Sequence, residues 1–385
     1  MLEIVHCVSD DKFINGVIEV FDYFQGENKN HYVFFPEVKQ TSKYKYLKYS
    51  NKVSVANRAT ALSYIHSIPC DVLILHNLSS FPIEYLRHIR SSIKVVWFAW
   101  GYDLYSRFKG HKSFIPIELY LPLTKNVIQG DLLEQLKQFA KRTRWFLMGY
   151  KNKVEESVKR VDYFSGVIPW EYEMMKKNKF FKAEKVEFTY FNMNPYATEA
   201  TKTILKERGQ NILIGNSAGS TNNHIDIIKQ LSYIDIKDRR VIIPLSYGGN
   251  KRYIKKVINY GSNLWSKNLI PLNTFIPLSD YQEIIRSCGY AVYGLNRQQA
   301  LGNILMALWN GLVVFMSKTS PLYHHLVYLG FKLFTTQEDL QLIAEGYQLS
   351  HKEIIENREV LLQYYSQDIC FNKIANFYKI IANND

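Results

Sequence analysis

The chain has 385 residues, 47% of them apolar and 15% aromatic, and a formal net charge of +13. That length exceeds one ordinary core and suits two domains, and the composition excludes a disordered chain. Four cysteines, Cys7, Cys70, Cys288 and Cys370, lie far apart, which excludes zinc or redox spacing and reads as free thiols in a reducing compartment.

Residues 2–8 form a short apolar strand, 13–23 have helical spacing and 32–35 are strand-like. No basic segment leads into an apolar one at the start, so no signal peptide is expected. Residues 53–68 read as a helix, 72–75 as a strand followed by His76, 82–90 as a helix, and 94–100 as a buried strand. Such alternation argues for parallel βαβ units. Residues 109–130, with Pro116 and Pro122, resist assignment; 132–150 read as an amphipathic helix, 162–167 as a strand and 170–178 as a helix. The polar segment from Asn192 to Gln210 reads as an interdomain connection.

The alternation then restarts. Strands at 212–215, 240–244, 272–275, 290–294 and 313–316 are separated by helices at 224–231, 251–260, 281–287 and 304–310, and 368–381 looks like a closing helix. No run approaches the roughly 18–20 apolar residues needed to cross a bilayer. The expected fold is α/β of the GT-B type: two Rossmann-like, doubly wound parallel-sheet domains facing a cleft. The boundaries are drawn at 1–195 and 196–365, with 366–385 a helix packing back toward the first domain. Ligands of such sheets bind at the carboxyl ends of the strands.

Charge suggests a polyanionic partner. Between Glu37 and Asp71 there is no acidic residue, while Lys43, Lys45 and Lys48 interleave with Tyr44, Tyr46 and Tyr49. A second basic stretch, Lys137, Lys141, Arg142 and Arg144, ends at Trp145 and Phe146. Cations beside Tyr and Trp suit a lipid headgroup layer; the alternative is a solvated basic face. The charge is spread along both halves, which argues against nucleic acid.

Three motifs follow strands. Gly215-Asn216-Ser217-Ala218-Gly219-Ser220, leading through Asn222 and His224 into a helix, offers backbone amides for a diphosphate; a plain strand–helix turn would read the same. Arg297-Gln298-Gln299, followed by Gly302 and Asn303, places a guanidinium able to grip a diphosphate before a helix. Many retaining GT-B enzymes carry two glutamates in this stretch; the corresponding places hold Gln298 and Met306. Trp100-Gly101-Tyr102-Asp103-Leu104-Tyr105 puts a carboxylate just past a strand, as a general base for an acceptor hydroxyl or as a helix cap. His76 is a second base candidate, though a lone His is more often a structural hydrogen-bonder. No Asp-x-Asp motif is present, so a metal-independent reaction without cofactors is expected.

Together these motifs resemble the TDP-Fuc4NAc:lipid-linked-disaccharide transferases of enterobacterial common antigen assembly, a family also labelled 4-alpha-L-fucosyltransferase. The matching stretches are Trp100-Gly101-x-Asp103-Leu104-Tyr105, Gly215-Asn216-Ser217 with Asn222 and His224, Pro244 with Tyr247 and Tyr253, and Arg297-Gln298-Gln299-x-x-Gly302. His76 and Tyr190-Phe191 also fall in place. The order holds from about Val72 to Pro321; residues before Val72 match poorly. The resemblance implies a glycosyltransferase with a dTDP-amino-deoxysugar donor and a polyprenyl-diphosphate-linked oligosaccharide acceptor. It also implies peripheral attachment to the anionic inner face of the bacterial inner membrane. A sugar-nucleotide epimerase of the same fold is the rival enzyme.

Overall fold

The structure, a computed structural model, describes residues 1–383 except 12, 25, 27, 38–43, 45, 107–110, 130–131, 190–191, 194–196 and 198–208, and only the backbone at 132–135, 138 and 383. Lys43, Lys45, Tyr190, Phe191 and most of the expected connection lie outside the described residues. The chain divides into two compact units: Met1–Pro116 with Leu136–Tyr190 and Asp368–Asp385, and Ile117–Gln135 with Phe191–Gln367.

The first unit contains a seven-stranded sheet of β1 (Glu3–Val8), β2 (Lys29–Phe34), β3 (Val53–Val55), β4 (Val72–His76), β5 (Lys94–Phe98), β6 (Tyr163–Ser165) and β7 (Glu184–Lys185), in the order β3-β2-β1-β4-β5-β6-β7. Every pairing is parallel. Residues 72–75 and 95–98 are wholly buried, as expected of parallel strands covered on both faces. The closing helix Gln367–Asn383 belongs here: Ile374, Phe377 and Ile381 pack with Phe21, Phe98 and Phe188, and Lys94 Nζ donates to Ile381 O at 2.7 Å.

The second unit contains a six-stranded parallel sheet: β8 (Asn211–Ile214), β9 (Val241–Pro244), β10 (Leu269–Leu272), β11 (Cys288–Tyr293), β12 (Val313–Met316) and β13 (Phe334–Thr335). Its order is β10-β9-β8-β11-β12-β13. The winding reverses between β8 and β11, so their carboxyl ends flank a crevice where such sheets take ligands.

Three expectations are corrected. Residues 53–68 are not one helix: the valines of β3 extend the sheet beside β2, and the helix starts only at Ala61. Residues 272–275 are not a strand. β10 ends at Leu272, Phe275 is exposed, and Pro271 is accepted because β10 is an edge. The helix expected over 132–150 stops at Leu147, with Gly149 left-handed (φ +63°) before a second helix, Tyr150–Val158. The chain passes from the first unit to the second at Tyr190/Phe191 and returns at Asp368. Ile117–Gln135 joins the second, because Asp226 accepts from Leu123 N (2.9 Å) and Thr124 N (2.8 Å) at the start of a helix, Pro122–Ile128.

Among the described residues no helix is long and apolar enough to cross a membrane. All four cysteines are free thiols, and Cys7, Cys288 and Cys370 are buried.

Candidate functional site

At the end of β8 the chain turns sharply. Gly215 has φ +68°, and a Cβ there would lie 2.8 Å from Asn222 Oδ1 and 3.0 Å from His224 Nε2. Only glycine satisfies both the backbone and the space. Asn222, fully buried, then folds residues 215–222 around its carboxamide. Its Oδ1 accepts from Asn216 N (3.2 Å), and its Nδ2 donates to Ser217 O (3.1 Å), Ser217 Oγ (3.2 Å) and Gly219 O (3.1 Å).

Side chains tie this loop to its neighbours. Ala218 N donates to Tyr247 O at 2.7 Å, joining it to the loop after β9. Thr221 Oγ1 donates to Gln299 Oε1 (2.6 Å), Gln299 Nε2 to Asn216 Oδ1 (3.3 Å), and Asn216 Nδ2 to Tyr247 OH (3.2 Å). Three loops, after β8, β9 and β11, are thereby held as one rim around the crevice.

Arg297 stands half-buried in the third loop, its Nη1 donating to Gln298 O at 3.2 Å. The helix Leu301–Trp309 follows, with Ala300 left-handed at its start and no side-chain cap on its first amides. Gly302 and Asn303 occupy that first turn, and Asn303 Oδ1 accepts from Tyr281 OH (3.3 Å). A guanidinium and uncapped helix amides suit an anionic ligand. Gln298 and Met306 are both buried, so neither place supplies a carboxylate.

His224 plays a different part from a ligand-binding cation. It is wholly buried, Nδ1 lies 3.1 Å from Tyr253 OH, and burial pushes its pKa down to about 3. The neutral ring packs beneath Gly215 and supports the turn. Asn223 and Asn296, which the sequence reading passed over, anchor the rim from below. Asn223 Nδ2 donates to Gly294 O (2.6 Å) and its Oδ1 accepts from Leu121 N (2.9 Å). Asn296 Oδ1 accepts from Ser317 Oγ (2.8 Å) and Thr319 Oγ1 (2.9 Å). The Asn-Asn-His run before a helix was the available signal for Asn223.

In the first unit the polar residues beyond β4, β5 and β6 are deeply engaged. Asp103 is 2% exposed; Oδ2 accepts from Trp97 Nε1 (2.9 Å) and Leu78 N (3.1 Å), and Oδ1 from Trp100 N (2.9 Å). This geometry anchors the carboxylate among three donors. Burial raises its pKa, and these donors oppose the rise.

His76 lies among Phe21, Phe98 and Phe188, with Nε2 3.0 Å from His6 Nδ1. Asn30 Nδ2 donates to Phe21 O, so Asn30 Oδ1 faces His6 Nε2 as an acceptor (3.1 Å). Neutral His6 thus donates from Nε2 and accepts at Nδ1, which makes His76 Nε2 a donor. Burial holds both rings neutral, His6 at about 4 and His76 well below its ordinary value. His76 belongs to the core rather than to an open site.

Tyr105, expected at an acceptor or membrane surface, is buried and donates to Glu171 Oε1 at 2.8 Å. Glu171, which no motif singled out, also accepts from Val167 N (2.6 Å) and Ile168 N (3.1 Å) at a helix start. Trp100 is half-buried with its ring edge-to-face against Phe13. Lys48, Arg142 and Arg144 are exposed, and Trp145 is half-buried beneath Lys141 Nζ, 4.7 Å from the ring centre. Among the described residues, no three His, Cys, Asp or Glu side chains gather as a metal-ligand set.

Residues 126–381 match the family described as 4-alpha-L-fucosyltransferase, glycosyl transferase group 56. Among solved structures, Anabaena Alr3699/HepE in complex with UDP and glucose covers 98% of this chain and 100% of its own, with TM-score 0.67 and 12% identity. The apo lipopolysaccharide outer core galactosyltransferase WaaB covers 98% and 99%, with TM-score 0.63 and 13% identity. Sucrose-phosphate synthase from Thermosynechococcus elongatus covers all of both chains, with TM-score 0.65 and 9% identity. At these identities the likeness is one of fold.

Two outcomes follow from the buried polar groups. Asn222→Asp replaces the donor to three oxygens by an acceptor, and should cost at least about 2 kcal/mol, read as a lowered melting temperature of the second unit. Glu171 is held by burial at a pKa of about 7, above its ordinary 4.5. Its contribution to stability is therefore full below pH 4.5 and fades as pH rises through about 7. Glu171→Gln should lack this loss, so the variant's melting temperature, relative to wild type, should climb between pH 5 and pH 8.

Proposed function

The chain belongs to the 4-alpha-L-fucosyltransferase family, glycosyl transferase group 56, and is a glycosyltransferase of the GT-B fold; on that footing we propose that it transfers an amino-deoxysugar resembling Fuc4NAc from a dTDP-linked donor to a polyprenyl-diphosphate-linked oligosaccharide. The product would serve bacterial surface polysaccharide synthesis at the cytoplasmic face of the inner membrane. The ordered motifs from Trp100 to Gly302 support the donor and acceptor classes.

The observation that carries the reading is the rim of the second unit: the Asn222-folded loop, Arg297, and the uncapped start of the helix Leu301–Trp309. In this reading the amides of Gly302 and Asn303 hold the diphosphate together with those of Ser217 and Ser220, the other amides of the 215–220 loop being spent on Val292, Asn222, Tyr247 and Ser217, and Arg297 faces its charge. Tyr247 and Gln299 hold the rim that lines the pocket. The acceptor oxygen bonds to the anomeric carbon as the bond from that carbon to the diphosphate oxygen breaks. Negative charge builds on the leaving diphosphate, where fixed amides and a guanidinium stabilise it, and no divalent cation is required. The hydroxyl proton leaves to solvent or to an acceptor-side base. Asp103 serves as a positioning residue: it fixes Trp97, Leu78 and Trp100 at the strand ends of the first unit, which takes the acceptor.

Calorimetric titration with dTDP tests the rim. Arg297→Ala should weaken binding at least about tenfold, as expected when a charged hydrogen bond is lost, and wild-type transfer should survive EDTA; an unchanged dTDP affinity would remove Arg297 from the site. Asp103→Asn should lower stability by about 1–3 kcal/mol, because its amide faces a donor it cannot accept from, while dTDP affinity holds. Native stability with turnover abolished would instead make Asp103 the base.

A further inference from the structure

The helix Leu132–Leu147 presents an unusual surface. Leu136, Phe139, Phe146 and Leu147 are exposed, three of them by two-thirds or more: Phe139 67%, Phe146 77% and Leu147 78%. At 100° per residue, Leu136, Phe139, Ala140, Thr143, Phe146 and Leu147 fall on one face. Lys137 and Arg144 flank that stripe on one side and Arg142 on the other, and Met148 extends its exposed apolar end. From residue 135 to residue 154 there is no acidic side chain. A contiguous exposed apolar face of this kind marks an interaction surface.

The rim charges decide what covers it. A second copy laid face to face would set the same cations against themselves, a self-complementary contact that like charges oppose. An anionic lipid surface meets both features: acyl chains take Leu and Phe, and phosphates take Lys and Arg. The helix is about 24 Å long at 1.5 Å per residue, and carries too many charges to cross a bilayer. We propose that the helix Leu132–Leu147 lies in the plane of an anionic membrane with Leu136, Phe139, Phe146 and Leu147 inserted below the headgroups. Trp145, beneath Lys141, lies on the opposite side of the helix from that stripe and takes no part in the insertion. The inference deepens the reading of a lipid-borne acceptor, since an enzyme held on the surface meets such a substrate in two dimensions.

The test uses the full chain with sedimented vesicles, either phosphatidylcholine alone or with roughly one-third phosphatidylglycerol. Wild type should bind the anionic vesicles at least about tenfold tighter, and raised salt should weaken that binding. The triple variant Phe139→Glu, Phe146→Glu, Leu147→Glu should lose at least about tenfold in vesicle affinity, with melting temperature and dTDP affinity unchanged. Should that variant misfold, Lys137→Gln with Arg142→Gln and Arg144→Gln keeps the stripe and should lose only the preference for anionic lipid. Wild type indifferent to anionic vesicles, a folded triple variant binding like wild type, or a wild-type dimer that the triple variant dissolves would each overturn the proposal. Transfer to a detergent-dispersed polyprenyl-diphosphate acceptor separates the two readings. Its failure in wild type sinks the acceptor class, whereas transfer without vesicle binding sinks only the helix.

Discussion

The carboxamide of Asn222 makes four hydrogen bonds within a loop of eight residues, and the glycine opposite it is left-handed because no Cβ fits beside that carboxamide. The two conditions require each other. A side chain at 215 would push Asn222 out, and without Asn222 the carbonyls of Ser217 and Gly219 would be buried without these donors. Once this turn is set, the Thr221-Gln299-Asn216-Tyr247 chain can close across three strand ends. The crevice at the winding reversal therefore has a shape fixed by the chain's own hydrogen bonds.

The first unit uses the same device for another purpose. Asp103, Glu171 and the His6–His76 pair are buried at or near strand ends, and each has its polar atoms engaged by neighbours. A buried carboxylate with several donors is costly to disturb because each donor would be left unsatisfied. These groups hold the loops that leave the sheet. An Asp or His just past a strand is thus an ambiguous sign of catalysis.

Between β5 and β6 the chain departs from the sheet for more than sixty residues, and that excursion carries two unlike pieces. Ile117–Gln135 is drawn into the second unit by Asn223 and Asp226. The rest of the helix Leu132–Leu147 keeps large apolar side chains in the open. Neither behaviour is local. The first depends on carboxamide and carboxylate groups a hundred residues away, the second on the lack of cover over a stripe whose period any amphipathic helix would share.

The sequence by itself determined the class of fold, because fully buried parallel strands must be short apolar runs separated by helical spacing, and 72–75, 94–98 and 313–316 could be little else. It also marked the tight turn after β8, since glycine followed by small polar residues past a strand favours a sharp turn into a helix. Tertiary structure decided what periodicity does not encode. Val53–Val55 became a strand because an edge was open beside β2, and Leu269–Leu272 kept Pro271 because that edge asks for no amide there. Tyr105 and His76 went inside because buried partners, Glu171 and His6, met them. Those partners come from residues distant in sequence, and a pattern of spacing records the neighbours along a chain, not the ones across it.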